Sequence, residues 1–238
     1  MIYIGTSGWH YKHWRGPFYP PDIRAADMFR FYVQHFETVE VNNSFYRLPT
    51  TTALRDWHDV APGKFRFAVK ASRFLTHMKK LKDPKSGLQK FLQRVETLGK
   101  KLGPILFQLP PGWRSNLDRL ASFLAALPPK HRSAFEFRNP TWHDQTTYQL
   151  LRGHNAAFCV YELAGFQSPI EITADFAYIR FHGPGGAYQG RYKEKQLGNW
   201  ASQINHWQER LKDIYVYFDN DQHGYAACNA LELKKMLN

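Results

Sequence analysis

The chain has 238 residues, 43% of them hydrophobic, 16% aromatic and 22% charged, which suits one full core, is short for two ordinary α/β domains, and excludes a disordered chain. Against 20 Asp and Glu stand 32 Lys and Arg, a formal charge of +12 with a pI near 9.7; that field draws anions and brings forward an anionic small molecule or nucleic acid as partner. No apolar run approaches ~18 residues, no basic-then-apolar leader precedes the first strand, and Cys159 and Cys228 stand far apart outside any CxxC spacing, so the chain reads as cytoplasmic, with no membrane partner and two idle thiols.

Ile2 to Gly5 reads as a strand. It opens onto a long loop, Thr6 to about Asp22, that carries Trp9, His10, Tyr11, Trp14, Arg15, Phe18 and Tyr19. A connection of that length and aromatic content is expected to form a lid, with Trp9, Tyr11 and Trp14 bordering the site. Strands follow at Thr38 to Asn42 and Phe65 to Lys70, then a solvated lysine run of Lys79, Lys80, Lys82 and Lys85. A helix is expected over Leu88 to Leu102, a strand over Ile105 to Leu109, a helix over Leu117 to Leu127, and strands over Ala134 to Arg138 and Ala157 to Tyr161. Glu162 to Ala174 lacks a helical pattern, so the crossover after the sixth strand is expected to be irregular. Phe176 to His182 gives the seventh strand. Gly183-Pro184-Gly185-Gly186 follows it directly, where barrels often place a phosphate-binding loop. Glu194 to Leu211 is helical, Ile214 to Asp219 the last strand, and Tyr225 to Leu237 a final helix. Eight strands alternating with helices, unbroken by linker or repeat, predict one α/β domain over residues 1–238, a TIM-type (β/α)8 barrel. Its oligomeric state is left open.

Side chains alternate across a strand, and barrels place functional groups at the C-terminal strand ends. With Val39 and Val41 facing the helices, Glu40 and Asn42 point inward; by the same rule so do Lys70, Glu136, Arg138, Tyr178, Arg180 and His182, with Gln108 and Tyr161 closing the fourth and sixth strands. Two glutamates against Lys70, Arg138 and Arg180 leave one positive charge over, and unpaired charges inside a barrel cost several kcal/mol. A polar, net-basic pocket at one end is therefore expected. Glu40, Glu136 and His182 are its candidate catalytic groups. The candidate ligand-binding set is Trp9, Asn42, Tyr46, Lys70, His77, Gln108, Arg138, Tyr161, Arg180, Gly183, Gly185, Gly186 and Asn220, with an anion expected between the glycine loop and Arg180.

Gly5-Thr6-Ser7-Gly8-Trp9, Val39-Glu40-Val41-Asn42 with Ser44-Phe45-Tyr46, Gly103 to Pro111, Glu136-Phe137-Arg138, and Tyr178 with Arg180-Phe181-His182-Gly183 together resemble the YecE-like domain-of-unknown-function family. The likeness runs over nearly the whole chain. It implies a TIM barrel with a polar pocket and no established activity; kinship to barrels acting on abasic DNA is a fold-level analogy. Phe218-Asp219-Asn220-Asp221 departs from the family pattern, which more often carries two asparagines there.

Four function classes fit these residues. An enzyme or binder for a phosphorylated or nucleic-acid ligand, a hydrolase or lyase if catalytic, draws on the charge, the glycine loop and the mouth aromatics. Two glutamates beside Trp9, Trp14, Tyr46 and Trp142 also suit a glycosidase, given a carboxylate separation of about 5 to 10 Å. No cofactor is expected; a divalent-metal hydrolase drawing on Glu40, His77, Glu136, His182, Asp219 and Asp221 is a minor alternative, because Lys70 and two arginines would repel a cation. A non-catalytic binding module is the fourth.

Overall fold

The computed structural model describes residues 1–237. Its strands are β1 (Ile2–Thr6), β2 (Thr38–Val41), β3 (Arg66–Lys70), β4 (Leu102–Leu109), β5 (Ser133–Phe137), β6 (Ala157–Leu163), β7 (Phe166–Gln167), β8 (Phe176–Phe181) and β9 (Asp213–Phe218). All pair in parallel except β7, which folds back antiparallel on β6. Helices α1 (Met28–His35), α2 (Thr51–Val60), α3 (Pro84–Val95), α4 (Leu117–Ala126), α5 (Gln145–Gly153), α6 (Glu194–Gln208) and α7 (Tyr225–Leu237) lie between them. Among the described residues, no helix is long and apolar enough to cross a membrane. The eight expected strands are all present as a TIM-type barrel, and the β6 to β8 crossover carries the β7 hairpin in place of a helix, as the sequence of that stretch requires.

Several boundaries differ from expectation. The helix expected through Leu102 ends at Val95, tightens into a 3-10 turn to Lys101, and gives way to β4 at Leu102. Gly99, at φ 51 and ψ −130, breaks the helical path, and Pro104 could not continue it. Likewise α6 stops at Gln208, before the expected Leu211.

The strand order β1-β9-β8-β6-β5-β4-β3-β2 closes where β1 meets β2. There the ladder is partly replaced by a side chain: the Tyr32 hydroxyl accepts from the Thr6 amide and donates to the Thr38 carbonyl, both at 3.0 Å. One pleat further on, the Gly8 amide donates to the Glu40 carbonyl at 2.8 Å. Gly5 permits this approach, since a Cβ on it would stand 2.3 Å from the Thr38 oxygen, inside any allowed contact.

The alternation divides the core in two. Val39, Val41, Phe67, Val69, Phe135, Phe137, Ile179, Phe181 and Phe218 face the helices in one large cluster, while Tyr3, Ala68, Leu106, Ala134, Ala157, Tyr178, Tyr215 and Tyr217 fill the barrel itself. Tyrosines from β1, β8 and β9 occupy the room that alanines of β3, β5 and β6 leave, and Tyr3 stacks on Tyr215 at 4.9 Å. Their hydroxyls are not wasted: Tyr217 bonds Thr38 Oγ1 at 2.7 Å, and Tyr178 reaches upward to Glu40. Above this layer the interior turns polar.

Candidate functional site

Arg180, fully buried on β8, stands at the centre of the C-terminal mouth. Its Nη2 donates to Glu40 Oε1 at 2.6 Å and to Asp219 Oδ2 at 3.0 Å, and its Nη1 to Glu136 Oε2 at 2.7 Å. One guanidinium therefore ties together the ends of β2, β5 and β9. Glu40 also accepts from the Ser7 hydroxyl at 2.7 Å and the Tyr178 hydroxyl at 2.6 Å, and Glu136 from Arg138 Nε. Burial pushes the Glu136 carboxyl up, but the Arg138 and Arg180 guanidiniums beside it outweigh burial and hold it well below the usual carboxylate range. The same contest, decided by Arg180 and His182, holds Asp219 below its ordinary value.

His182 completes the network. Its Nε2 faces Arg138 Nη2 at 2.9 Å and Arg180 Nη1 at 3.1 Å, and its Nδ1 faces Asp219 Oδ2 at 3.0 Å. Guanidiniums only donate, so Nε2 accepts and the Nδ1 proton goes to Asp219. Neither ring nitrogen is left for a substrate. Glu40 and Glu136 are committed in the same way, so the three expected catalytic groups come together as the anchor of Arg180. A Glu136 carboxyl held so low does not serve as a general acid near neutral pH, and the two glutamates grip one cation where a glycosidase would set them across an open cleft. Among the described residues no group of three or more His, Cys, Asp and Glu side chains is placed to hold a metal ion.

Asp219 changes the charge count. With Glu40, Glu136 and Asp219 opposite Lys70, Arg138 and Arg180, the cluster holds three acids and three bases, and the expected surplus positive charge is absent. What remains open to a ligand lies around this core. Lys70, at the end of β3, makes no hydrogen bond or ion pair among the described residues; its ammonium rests over the Phe45 ring, 4.7 Å from the centroid. Burial, then the neighbouring Arg180, lowers its pKa. Phe45 also meets His77 edge-on at 4.9 Å, and burial and Lys70 lower His77 likewise. Among the described residues Asn42 Oδ1 is buried without a donor and Asp219 Oδ1 makes no hydrogen bond, while Oδ2 takes both Arg180 and His182; Gln108 lies beside Glu136 in the β4–β5 register. Arg138 lies over the Tyr161 ring at 4.8 Å, with the Tyr161 hydroxyl turned to the Phe137 carbonyl.

Other expected residues lie elsewhere. Tyr46 turns outward, and Trp9 leaves the cluster to pack on Phe29 and Trp57 at 4.8 and 4.9 Å. Trp14 is buried behind Tyr11, its indole bonded to the Asp221 carbonyl. Of the three lid aromatics Tyr11 lies against the cluster, bonded to the Ser7 carbonyl at 2.6 Å, and it shares with Trp9 and Asn42 a groove of about 490 Å³ between the first two βα loops. The glycine loop folds on itself: the Gly183 amide already bonds the Tyr192 hydroxyl at 3.1 Å, and a Cβ there would meet the Gln189 carbonyl at 2.2 Å. Both terminal nitrogens of Arg180 are also committed to carboxylates, which takes up much of the seat expected for an anion, although its buried Nε has no partner among the described residues; Gly185 and Gly186 remain exposed and half-buried at the loop's surface. Asn220 points to the helix side, donating to the Gly190 carbonyl and Asn229; it fastens a loop, and its neighbour Asp219 faces the mouth. Tyr188 was not expected: its ring meets His182 edge-on at 5.5 Å, closing the mouth from the β8 side. Ser7 was missed, and Asp219 was weighed only as a metal ligand, although the β1 and β9 alternation places both inward.

The chain belongs to the family described as Protein of unknown function DUF72, whose model matches residues 3–238. It is 27% identical to the UPF0759 protein YunF of Bacillus subtilis, over all of this chain and 95% of that one. It is 29% identical to UPF0759 protein YecE of Escherichia coli K12 over 59% of this chain and 49% of that protein. A crystal structure of a DUF72 family protein from Thermotoga maritima superposes with a TM-score of 0.91 at 30% identity, covering 100% of this chain and 99% of that one. The resemblance read from the sequence holds.

Proposed function

We propose that the mouth of this DUF72-family barrel binds an anionic ligand rich in hydroxyl groups, a phosphorylated sugar or nucleotide. The observation that carries the reading is the Lys70 ammonium, among the described residues the one cation of the cluster without a partner carboxylate in contact. A half-buried charge in that state costs free energy that an incoming anion would recover. Asn42 Oδ1 and Asp219 Oδ1, both short of a donor, call for hydroxyl groups on the same ligand. Phe45, Tyr11 and Tyr188 supply apolar walls, the usual mixture for a small-ligand site.

Titration calorimetry with ribose 5-phosphate, ribose and inorganic phosphate tests it. Ribose 5-phosphate should bind best, and Lys70→Ala should weaken it by roughly tenfold or more, the worth of one charged hydrogen bond. Equal affinity of the parent and Lys70→Ala proteins for ribose 5-phosphate, or none in either, refutes the reading.

A further inference from the structure

Among the described residues seven large apolar side chains are exposed, and five of them stand on the segments that follow the C-terminal ends of strands: Tyr46 after β2, Phe74 and Met78 after β3, Phe166 after β6 and Tyr188 after β8. Their exposures are 84%, 46%, 69%, 49% and 45%. In the closed order of the barrel, β2 and β3 are neighbours, β6 and β8 are neighbours, and two strands separate the pairs either way round. The apolar residues therefore form two banks on opposite sides of the mouth.

The β3 bank also carries a basic run. Lys79, Lys80, Lys82 and Lys85 are exposed, form no ion pair among the described residues, and have only Asp83 among them to offset their charge. Their loop is not a slack tether. Lys80, Leu81 and Asp83 are held at φ 47, 62 and 47, and Leu81 is buried, its amide bonded to the Leu75 carbonyl at 3.0 Å. Three consecutive or near-consecutive residues in the left-handed region need a surrounding structure to hold them, a cost found where a loop must present its side chains in a set direction.

We infer that this rim is a docking surface for single-stranded nucleic acid, which crosses the mouth with its phosphates on the lysine loop and its bases on the aromatic banks at Tyr46 and Phe74 and at Tyr188 and Phe166. Exposed rings interleaved with unpaired cations fit a partner that is both polyanionic and flat-faced. A duplex presents phosphates but keeps its base faces stacked away. The inference extends the reading of the mouth, on which only the identity of a nucleotide held at Lys70 rests; the banks and the lysines stand apart from that residue.

Fluorescence anisotropy with labelled dT20, with its 20-base-pair duplex, and with competing anionic phosphatidylserine vesicles tests it. dT20 should bind more tightly than the duplex, with a slope of log affinity against log salt of about −3 if the four lysines each neutralise one phosphate. Changing the four lysines to Gln should flatten that slope, whereas Lys100→Gln with Lys235→Gln, exposed residues off the rim, should leave most of it. Tyr46→Ala with Phe74→Ala should weaken dT20 binding at least fivefold with the slope unchanged, because stacking is lost and charge is not. Equal binding of duplex and single strand, indifference to the aromatic changes, or displacement of dT20 by vesicles at lower phosphate concentration than by unlabelled dT20 would overturn it. Ribose 5-phosphate bound through Lys70 without dT20 binding leaves the mouth reading standing and removes this one; rim-dependent dT20 binding without any for ribose 5-phosphate does the reverse.

Discussion

Replacing Arg180 by Ala is the most informative single change. In the parent this fully buried guanidinium contacts three carboxylates, on Glu40, Glu136 and Asp219, at 2.6 to 3.0 Å. Arg138 still reaches Glu136 in the variant, and Ser7 and Tyr178 still reach Glu40, so the carboxylates keep hydrogen bonds while the group loses its central cation. Removing one partner of a buried ion pair costs about 3 to 5 kcal/mol, and in a chain of this size each kcal/mol lowers Tm by about 2 to 4 °C, so a fall of roughly 6 to 20 °C is expected at pH 7.5. The pH dependence carries the sharper signature. Glu136 and Asp219 are held below their ordinary values in the parent, so their contribution is present above the unfolded pKa and is lost as pH falls through the folded one. In Arg180→Ala burial dominates and the folded values rise, so protonation now favours the folded state and the deficit should narrow from pH 7.5 to pH 5. Melting followed by circular dichroism at pH 5, 6 and 7.5 measures both effects, with Lys79→Ala as a surface control that shifts stability by no more than about 0.5 kcal/mol. A Tm within 2 °C of the parent at pH 7.5, by the ~2 °C per kcal/mol scale, or a deficit that widens in acid, refutes the account of the cluster.

Gly5→Ala should destabilise by about 1 to 3 kcal/mol or more, because its methyl would stand 2.3 Å from the Thr38 carbonyl at the barrel seam; chemical denaturation reads the loss, and a neutral result would mean that β1 and β2 are not so close. Tyr32→Phe deprives the Thr6 amide and the Thr38 carbonyl of their partner and should cost about 1 to 3 kcal/mol, with faster amide exchange at Thr6. Lys70→Met should melt at or above the parent at neutral pH. Burial lowers the Lys70 pKa, so its charged form taxes the folded state below that value, and the tax fades as pH rises toward the unfolded value near ~10.4; a variant less stable at pH 7 than at pH 10, relative to the parent, contradicts this.

The barrel was legible because its strands obey a period of two over enough residues to separate two chemistries. Val39, Val41, Phe135, Phe137, Ile179 and Phe181 all face helices, and parity alone then placed Glu40, Glu136, Arg180 and His182 together. Where parity was not carried through, the reading failed: on β9, with Tyr215 and Tyr217 inside the barrel and Phe218 outside, the next inward residue is Asp219, and Asn220 points to the helices. Loops follow no such period. Nothing in the spacing of Trp9, Tyr11 and Trp14 tells which aromatic turns toward the mouth, because their directions depend on what Phe29, Trp57 and Phe18 offer them. Nor could a glycine run reveal that its first amide is already spent on Tyr192.

The same accounting separates support from function inside the mouth. A barrel that opens at one end needs its strand ends tied, and in this one the tie is ionic: Arg180 fastens β2, β5 and β9, and His182 adds a second link to β9. Charges used this way neutralise one another and are closed to a ligand. Lys70 Nζ, Asn42 Oδ1 and Asp219 Oδ1, which have no hydrogen-bond partner among the described residues, stand at the ends of β3, β2 and β9, beside the strand ends that the tie fixes. Residues that look catalytic by type are bonded to one another here, and groups left unsatisfied beside them cost the fold something that a bound partner would recover, which is the ground of the proposed ligand reading.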